Sequence, residues 1–441
     1  MNETNTQNPL VLRILIGLIM LVISAPGFVG VFHLVKERPV EGAWIMPSAP
    51  ELTTEGIFSG TYQKESELWM NEQVGFHYSF IRFRNQLWYT LFKTNIMPDA
   101  VIGSDDYLYL KGYISAYMGT DYVGGDAVSS MTGKLKSLQD TLAKNDVTLI
   151  VVLAPGKASV YPEFIPGRFG PRQAVTNHSA MRSSFDSAGI NLIDFNSYFA
   201  EQRASTPYPI YSNTSVHWTN YAALVAMDSL IKYIEAKRNI DMPSVIFEGE
   251  EWSDVPREYD NDVGGGLNLI FPIKTCRMAY PKFRFENPEG KTKISMMTVA
   301  DSYIRMMMSL GMVEHLTTDH DYWYYNQGIE HSDGRPKSST LDEDIVSSTL
   351  KHDVVLILAT DLNYAGFSWG YIHDAHRAIV LKQPLPAQER RVRQLENDIR
   401  MNKKWLFQVQ QKAAARKISL DSMIHIDALF EAEREQLMNK K

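Results

Sequence analysis

A single cysteine, Cys276, in 441 residues leaves no partner for an intramolecular disulfide and no material for a cysteine-rich zinc site. It reads as a core thiol, cysteine being among the most often buried residue types. Basic charge is not in excess either: 44 Lys and Arg stand against 51 Asp and Glu, a formal net charge of -7. Proteins that bind a phosphate backbone normally carry a basic face, so nucleic acid is not expected as a partner. The motifs of several common chemistries are missing: there is no HExxH, no P-loop, no CxxC and no GxGxxG following a strand. The glycines of "DVGGGLN" are turn residues of a loop. "HDAHR" sets His373 and His376 three apart, but without a nearby acidic or cysteine ligand set no metal is assigned.

Long apolar runs are equally scarce, and the one present is informative. From Ile14 to Val35, "ILIGLIMLVISAPGFVGVFHLV" is almost wholly apolar, and about 20 such residues suffice to cross a bilayer. Pro26 lies near any signal-peptide cleavage site and the apolar run resumes after it, which favours an uncleaved single-pass anchor. Arg13 on one side is matched by Lys36 and Arg38 on the other, so charge alone does not orient it. A lone N-terminal anchor followed by a long soluble stretch most often delivers a domain to the outer side of the cytoplasmic membrane. The expected division is a cytoplasmic N-terminus (1–13), an anchor (14–35), a proline-rich linker (36–54), a main domain (55–384) and a charged helical extension (385–441).

With 44% apolar residues the main domain can bury a full core. "YQKESELWMNEQVGFHYSFIRFRNQLWYTLF" has helical spacing interrupted near Gly75, which predicts two helices, and "AVIGSDDYLYLKG" has the pattern of a hairpin. Thereafter helix and strand alternate. "VTLIVVLAP" and "DVVLILAT" are continuous apolar runs suited to strands covered on both faces, and helical patterns such as "TNYAALVAMDSLIKYIEAK" fall between strands. This alternation predicts an α/β sandwich with a mostly parallel sheet. The tail reads as two helices broken at "RKISLDSM", where Ser419 or Asp421 caps the second.

Two residues stand where chemistry is possible. In "KISMMTVADSYIRMM" an apolar strand ends and a helix begins at once, placing Ser302 at the carboxyl edge of a sheet, where open α/β folds bind ligands. Backbone N–H groups at that helix start are positioned to stabilise an oxyanion. In "YSNTSVHWTNYAA", His217 lies ahead of another helix. Singly, each has an ordinary explanation: serine caps helices, and a histidine beside Trp218 can be structural. Together they are the minimum for acyl transfer, since a serine hydroxyl needs a neighbouring base to become nucleophilic.

At these residues the chain resembles a known family, the periplasmic SGNH-hydrolase-like O-acetyltransferases of bacterial exopolysaccharide modification (AlgX/AlgJ-like). The resemblance runs roughly from Glu55 to Leu381 and rests on "SGTYQKESELWMNEQVG", "VIGSDDYLYL", "VVLAPGKASVYPEFIP", the His-Trp motif and the strand-serine-helix motif, in that order. It implies an SGNH-like α/β sandwich, no cofactor, Ser302 as nucleophile and His217 as base. In the family an aspartate stands two residues before the histidine; here the position is Ser215. A neutral hydroxyl accepts a weaker hydrogen bond from an imidazole than a carboxylate does, and loss of the carboxylate can cost orders of magnitude in rate. Three readings stay open: Ser215 orients His217, another carboxylate such as Asp301 takes that part, or catalysis has been lost. Lys157, Tyr161, Trp218 and Tyr303 are candidate substrate-binding residues, each with packing as the alternative. The function implied is transfer of acetyl groups to hydroxyls of a cell-surface polysaccharide through a serine ester. A membrane-bound O-acyltransferase would supply the acetyl group, because acetyl-CoA is cytoplasmic. The alternatives are a glycan-binding or assembly subunit without catalysis, and a carbohydrate acetylesterase.

Overall fold

The computed structural model describes residues 9–42, 47–95, 97 and 99–439. Residues 1–8 of the expected cytoplasmic N-terminus and 43–46 of the expected linker lie outside the described residues. The chain forms two compact units, one of Met1–Ile102 with Asn261–Lys274 and one of Gly103–Asp260 with Thr275–Lys441. The partition differs from the single main domain read at 55–384. Helices after the linker contribute no strand to the sheet, a property that helical periodicity does not reveal.

In the first unit, α1 (Pro9–Val31) is the apolar helix, with mean hydropathy 2.5 over its most apolar window. It is about 34 Å long at 1.5 Å per residue, enough for a hydrocarbon core of about 30 Å. It starts and ends earlier than the apolar run. Pro9 suits a first helical position, and His33 adopts φ +47°, a left-handed conformation that stops the helix. The two helices expected around Gly75 are α2 (Thr61–Gln73) and α3 (His77–Phe92). Asn85 on α3 is buried and donates to the Leu267 carbonyl at 2.9 Å, tying in the returning segment.

The second unit holds a seven-stranded sheet with α4 (Gly125–Ala143), α5 (Asn177–Ala188) and α6 (Asn220–Arg238) among its helices. Its strands are β1 (Thr148–Ala154), β2 (Leu192–Asp194), β3 (Ile294–Ala300), β4 (Thr317–Tyr324), β5 (Gly328–His331), β6 (Ser338–Ser339) and β7 (Val354–Thr360), in the spatial order β6-β5-β4-β3-β7-β1-β2. Pairings from β4 through β2 are parallel, whereas β4–β5 and β5–β6 are antiparallel, so the sheet is mixed with a parallel centre. Every residue of β7 is buried, as expected for a central strand with helices on both faces. Val128, Leu135, Leu138 and Leu142 give α4 its buried stripe, which joins the core with Val151, Leu153, Val355 and Ile357. A capping box of Thr176 and Ser179 begins α5 and left-handed Gly189 ends it.

Register fixes what lies at the carboxyl edge. Ala300 pairs with Leu358 and Tyr324, and Ala154 with Thr360. Residues that follow these strands, Ser302, Tyr325, Asp361 and the loop from Pro155, therefore emerge along one edge. The tail forms three helices, α7 (Ala387–Met401), α8 (Lys403–Arg416) and α9 (Leu420–Asn439), rather than two. The additional break is at Asn402, whose side chain accepts from Trp405 N at 3.1 Å and caps α8. Ser419, one of the two expected caps, accepts from Ser422 N at 3.1 Å. Val392, Leu395, Ile399, Val409, Met423 and Ile424 are buried in a core shared by the three helices.

Candidate active site

Ser302 follows β3 at the first turn of a short helix, and Arg305 N donates to its carbonyl at 3.1 Å. His217 reaches it from the loop before α6. Nε2 of His217 lies 2.8 Å from Ser302 Oγ, within the reach required of a general base. Both residues are half-buried and accessible from solvent.

The loop carrying His217 is fastened on several sides. Thr219 caps α6 by accepting from Ala222 N at 3.2 Å and donates to the Pro209 carbonyl at 2.8 Å. Thr214 donates to the Asp260 carbonyl at 3.0 Å. Trp218 and Tyr303 tie the two segments together: the indole N–H donates to the Tyr303 carbonyl at 3.1 Å, and the Tyr303 hydroxyl donates to the Val216 carbonyl. Each is the chain neighbour of one member of the Ser/His pair. The His217 ring lies between Tyr259 and Tyr303, with centroid distances of 5.0 and 5.1 Å.

Lys157 serves the same loop. Its side chain is fully buried, and Nζ donates to the carbonyls of Leu108 (2.9 Å), Asn213 (2.7 Å) and Ser215 (3.0 Å). Of the two readings of Lys157, cleft-lining and packing, the geometry accords with packing, its ammonium engaging three backbone carbonyls. Trp218 and Tyr303 accord with their packing alternative: at 0% and 1% exposure they buttress the pair from inside. Tyr161 is partly buried, and its hydroxyl accepts from Ile210 N at 3.3 Å, linking the loop after β1 to the histidine loop.

Ser215 is fully buried, and its hydroxyl engages the main chain of His217, accepting from the N–H at 2.9 Å and donating to the carbonyl at 3.3 Å. The hydroxyl shapes the turn that presents the imidazole. Asp301 does not take the missing aspartate's part. Its Oδ1 accepts from Tyr303 N at 3.1 Å, and Oδ2 accepts from Thr360 N, Thr360 Oγ1 and Asn363 Nδ2, each at 2.8 Å. Burial raises the Asp301 carboxyl above its ordinary range, against the lowering pull of these donors. The carboxylate is a bolt between the ends of β3 and β7. Because it takes the Tyr303 N–H, that backbone donor at the helix start is already engaged.

Tyr325 is a site residue that the sequence reading missed. It follows β4 with φ +50°, and its N–H donates to the Ala300 carbonyl at 3.0 Å. A left-handed tyrosine is a costly conformation held by its surroundings. It sets the phenol hydroxyl beside Ser302, and burial raises its pKa so that the proton stays on. A separate cavity of about 610 Å³ at the same edge is lined by Asn177, His178, Asn196 and Asp361, and by neither Ser302 nor His217.

Residues 100–260 match the family described as "SGNH hydrolase-like domain, acetyltransferase AlgX", a stretch that includes Lys157, Ser215 and His217. AlgJ of Azotobacter vinelandii, described as a probable alginate O-acetylase, is 27% identical over 151 residues, 33% of this chain and 36% of the relative. AlgJ of Pseudomonas syringae pv. tomato, described likewise, is 24% identical over 211 residues, covering 45% and 50%. The chain thus aligns with half or less of the length of these curated relatives. Among solved structures, the O-acetyltransferase domain of Pseudomonas putida AlgJ is 16% identical with a TM-score of 0.43, covering 64% of this chain and 99% of that one. Pseudomonas aeruginosa AlgX is 14% identical with a TM-score of 0.41, covering 62% and 65%. Over residues 100–260 the chain thus resembles an SGNH hydrolase-like domain of the AlgX type, in keeping with its α/β sheet.

Proposed function

We propose that the protein is a membrane-anchored, extracytoplasmic O-acetyltransferase that esterifies hydroxyls of a cell-surface polysaccharide through an acetyl-Ser302 intermediate. The observation that carries the reading is the 2.8 Å approach of His217 Nε2 to Ser302 Oγ at the carboxyl edge of the sheet. His217 takes the hydroxyl proton as Ser302 Oγ attacks the acetyl carbonyl. The tetrahedral intermediate then collapses, expelling the donor's leaving group with that proton. In the second half, His217 deprotonates a sugar hydroxyl, which attacks the ester carbonyl and releases Ser302 with its proton restored. We assign the Tyr325 hydroxyl, which interacts with the Ser302 side chain, as a donor to the developing oxyanion. A membrane-bound O-acyltransferase partner supplies the acetyl group, and α1 holds the catalytic unit at the membrane where such a partner resides.

The test is Ser302→Ala, with acetylation of the surface polymer measured in cells. Loss of acetylation is expected, and undiminished acetylation would sink the enzymatic reading. One observation favours the second reading, a glycan-binding or assembly subunit: the Ser215 hydroxyl lies on the main chain of His217. That reading predicts acetylation indifferent to Ser302. An acetylesterase would be told apart by hydrolysing model esters at a rate that a sugar acceptor does not divert into transfer.

A further inference from the structure

At the edge of the sheet opposite Ser302, the start of β4 and the turn before β7 bring together Asp319, Asp321 and His352. Asp319 and Asp321 lie two apart within β4, paired with Ser295 and Met297 of β3, and His352 lies just ahead of β7, which begins at Val354. His352 is fully buried at its side chain. Its Nδ1 lies 2.8 Å from the Ser348 carbonyl oxygen, which can only accept, so Nδ1 carries the proton. Nε2 has no hydrogen-bond partner and points at Oδ2 of Asp319 and Oδ2 of Asp321, 3.7 Å from each. A lone pair on nitrogen faces two carboxylates across a gap too long for a hydrogen bond.

We propose that Asp319, Asp321 and His352 form a binding site for a first-row divalent cation of the Zn²⁺ type, stapling the start of β4 to the turn before β7. The donor atoms lie within 4.8 Å of one another. Ligands about 2.1 Å from a tetrahedral zinc are about 3.4 Å apart, close to the 3.7 Å separations of Nε2 from the two oxygens. Two carboxylates and an imidazole, without thiolate, suit Zn²⁺ better than Ca²⁺ or Mg²⁺, which prefer all-oxygen shells. Behind the ligands, His331 Nδ1 holds Asp321 Oδ1 at 2.6 Å and its Nε2 meets Ser338 Oγ at 3.0 Å, the bracing that metal-bound carboxylates usually receive. Two other cations face the cluster. Arg335 lies 3.6 Å from Asp321 Oδ1, and Lys351 Nζ lies 2.6 Å from Asp321 Oδ2 and 3.9 Å from Asp319 Oδ2. The Lys351 side chain is 41% exposed and has a path to solvent, so it competes with the metal without blocking it.

The experiment is calorimetric titration of the full chain in detergent, stripped with chelator, with Zn²⁺. One equivalent is expected to bind and to raise the unfolding temperature. Asp319→Asn, a partly exposed change, should weaken binding at least tenfold; His352→Gln should weaken it further; Lys351→Met should strengthen it. The proposal is overturned if neither the native chain nor Lys351→Met binds an equivalent of Zn²⁺, or if Asp319→Asn binds as tightly as the native chain.

Discussion

Lys157→Met isolates the contribution of the buried ammonium to the loop that carries His217. Nζ donates to three carbonyls, those of Leu108, Asn213 and Ser215, at 2.7 to 3.0 Å. A hydrogen bond to a charged group contributes about 1.5–3 kcal/mol, so three would nominally give more than 4 kcal/mol. Removing the ammonium also relieves the cost of burying a charge, while three carbonyls lose a donor in a dry interior. The balance expected is a loss of about 4 kcal/mol. Function should suffer separately, because the Ser215 carbonyl is two residues from His217 and a displacement of about 1 Å at a catalytic group can cost about 100-fold in rate. Urea denaturation of the full chain in detergent, followed by tryptophan fluorescence, reads the stability. Turnover of an activated acetyl ester at a urea-free temperature where the variant is folded reads the positioning, which should appear in kcat rather than KM. A variant with an unchanged urea midpoint and turnover within threefold of the native chain would refute the assignment.

Ser215→Ala should lower turnover less than tenfold, far less than loss of an orienting aspartate, since its hydroxyl bonds the main chain of His217 and not Ser302; ester hydrolysis measures it, and a thousandfold loss would contradict the geometry. Tyr325→Phe should cut turnover about 100-fold with KM little changed, the size of effect seen when an oxyanion donor is removed. Burial pushes the Asp361 carboxyl from 3.8 to about 6, a difference equivalent to about 3 kcal/mol. Between those values the folded chain keeps a proton that the unfolded chain has released. This stabilising contribution is therefore full below pH 3.8 and lost as pH rises through about 6. Asp361→Asn stays neutral throughout, so its stability relative to the native chain should improve by up to about 3 kcal/mol between acidic and mildly alkaline pH. Denaturation curves across that range would show a constant difference if the carboxyl were not perturbed.

The parallel centre of the sheet was legible because doubly covered strands such as Val354–Thr360 are unbroken apolar runs. Ser302 and His217 were legible because strand-to-helix junctions announce themselves in composition. Lys157 was not, since its burial depends on carbonyls from residues 108, 213 and 215 converging on one point. Tyr325 was hidden for a different reason: its backbone is left-handed, and tyrosine gives no signal for that conformation. Asp319 and Asp321 alternate along β4 whereas His352 precedes β7, so no local spacing marks the three as a ligand set. In the tail, Asn402 interrupts a run free of glycine and proline, and its capping bond is visible only once the helices have packed.

The bonds from Trp218 to Tyr303 and from Tyr303 to Val216 bear on how water would be kept from the proposed ester. With nucleophile and base fastened through the residues next to them, the pair is preassembled and does not wait for a substrate to bring it together. In the proposed mechanism a preassembled pair leaves no induced-fit checkpoint here, so the partition between hydrolysis and transfer would rest on occupancy, on how long a sugar hydroxyl fills the place beside His217 before a water molecule does. Raising acceptor concentration should shift that ratio without altering the rate at which the serine is first acetylated.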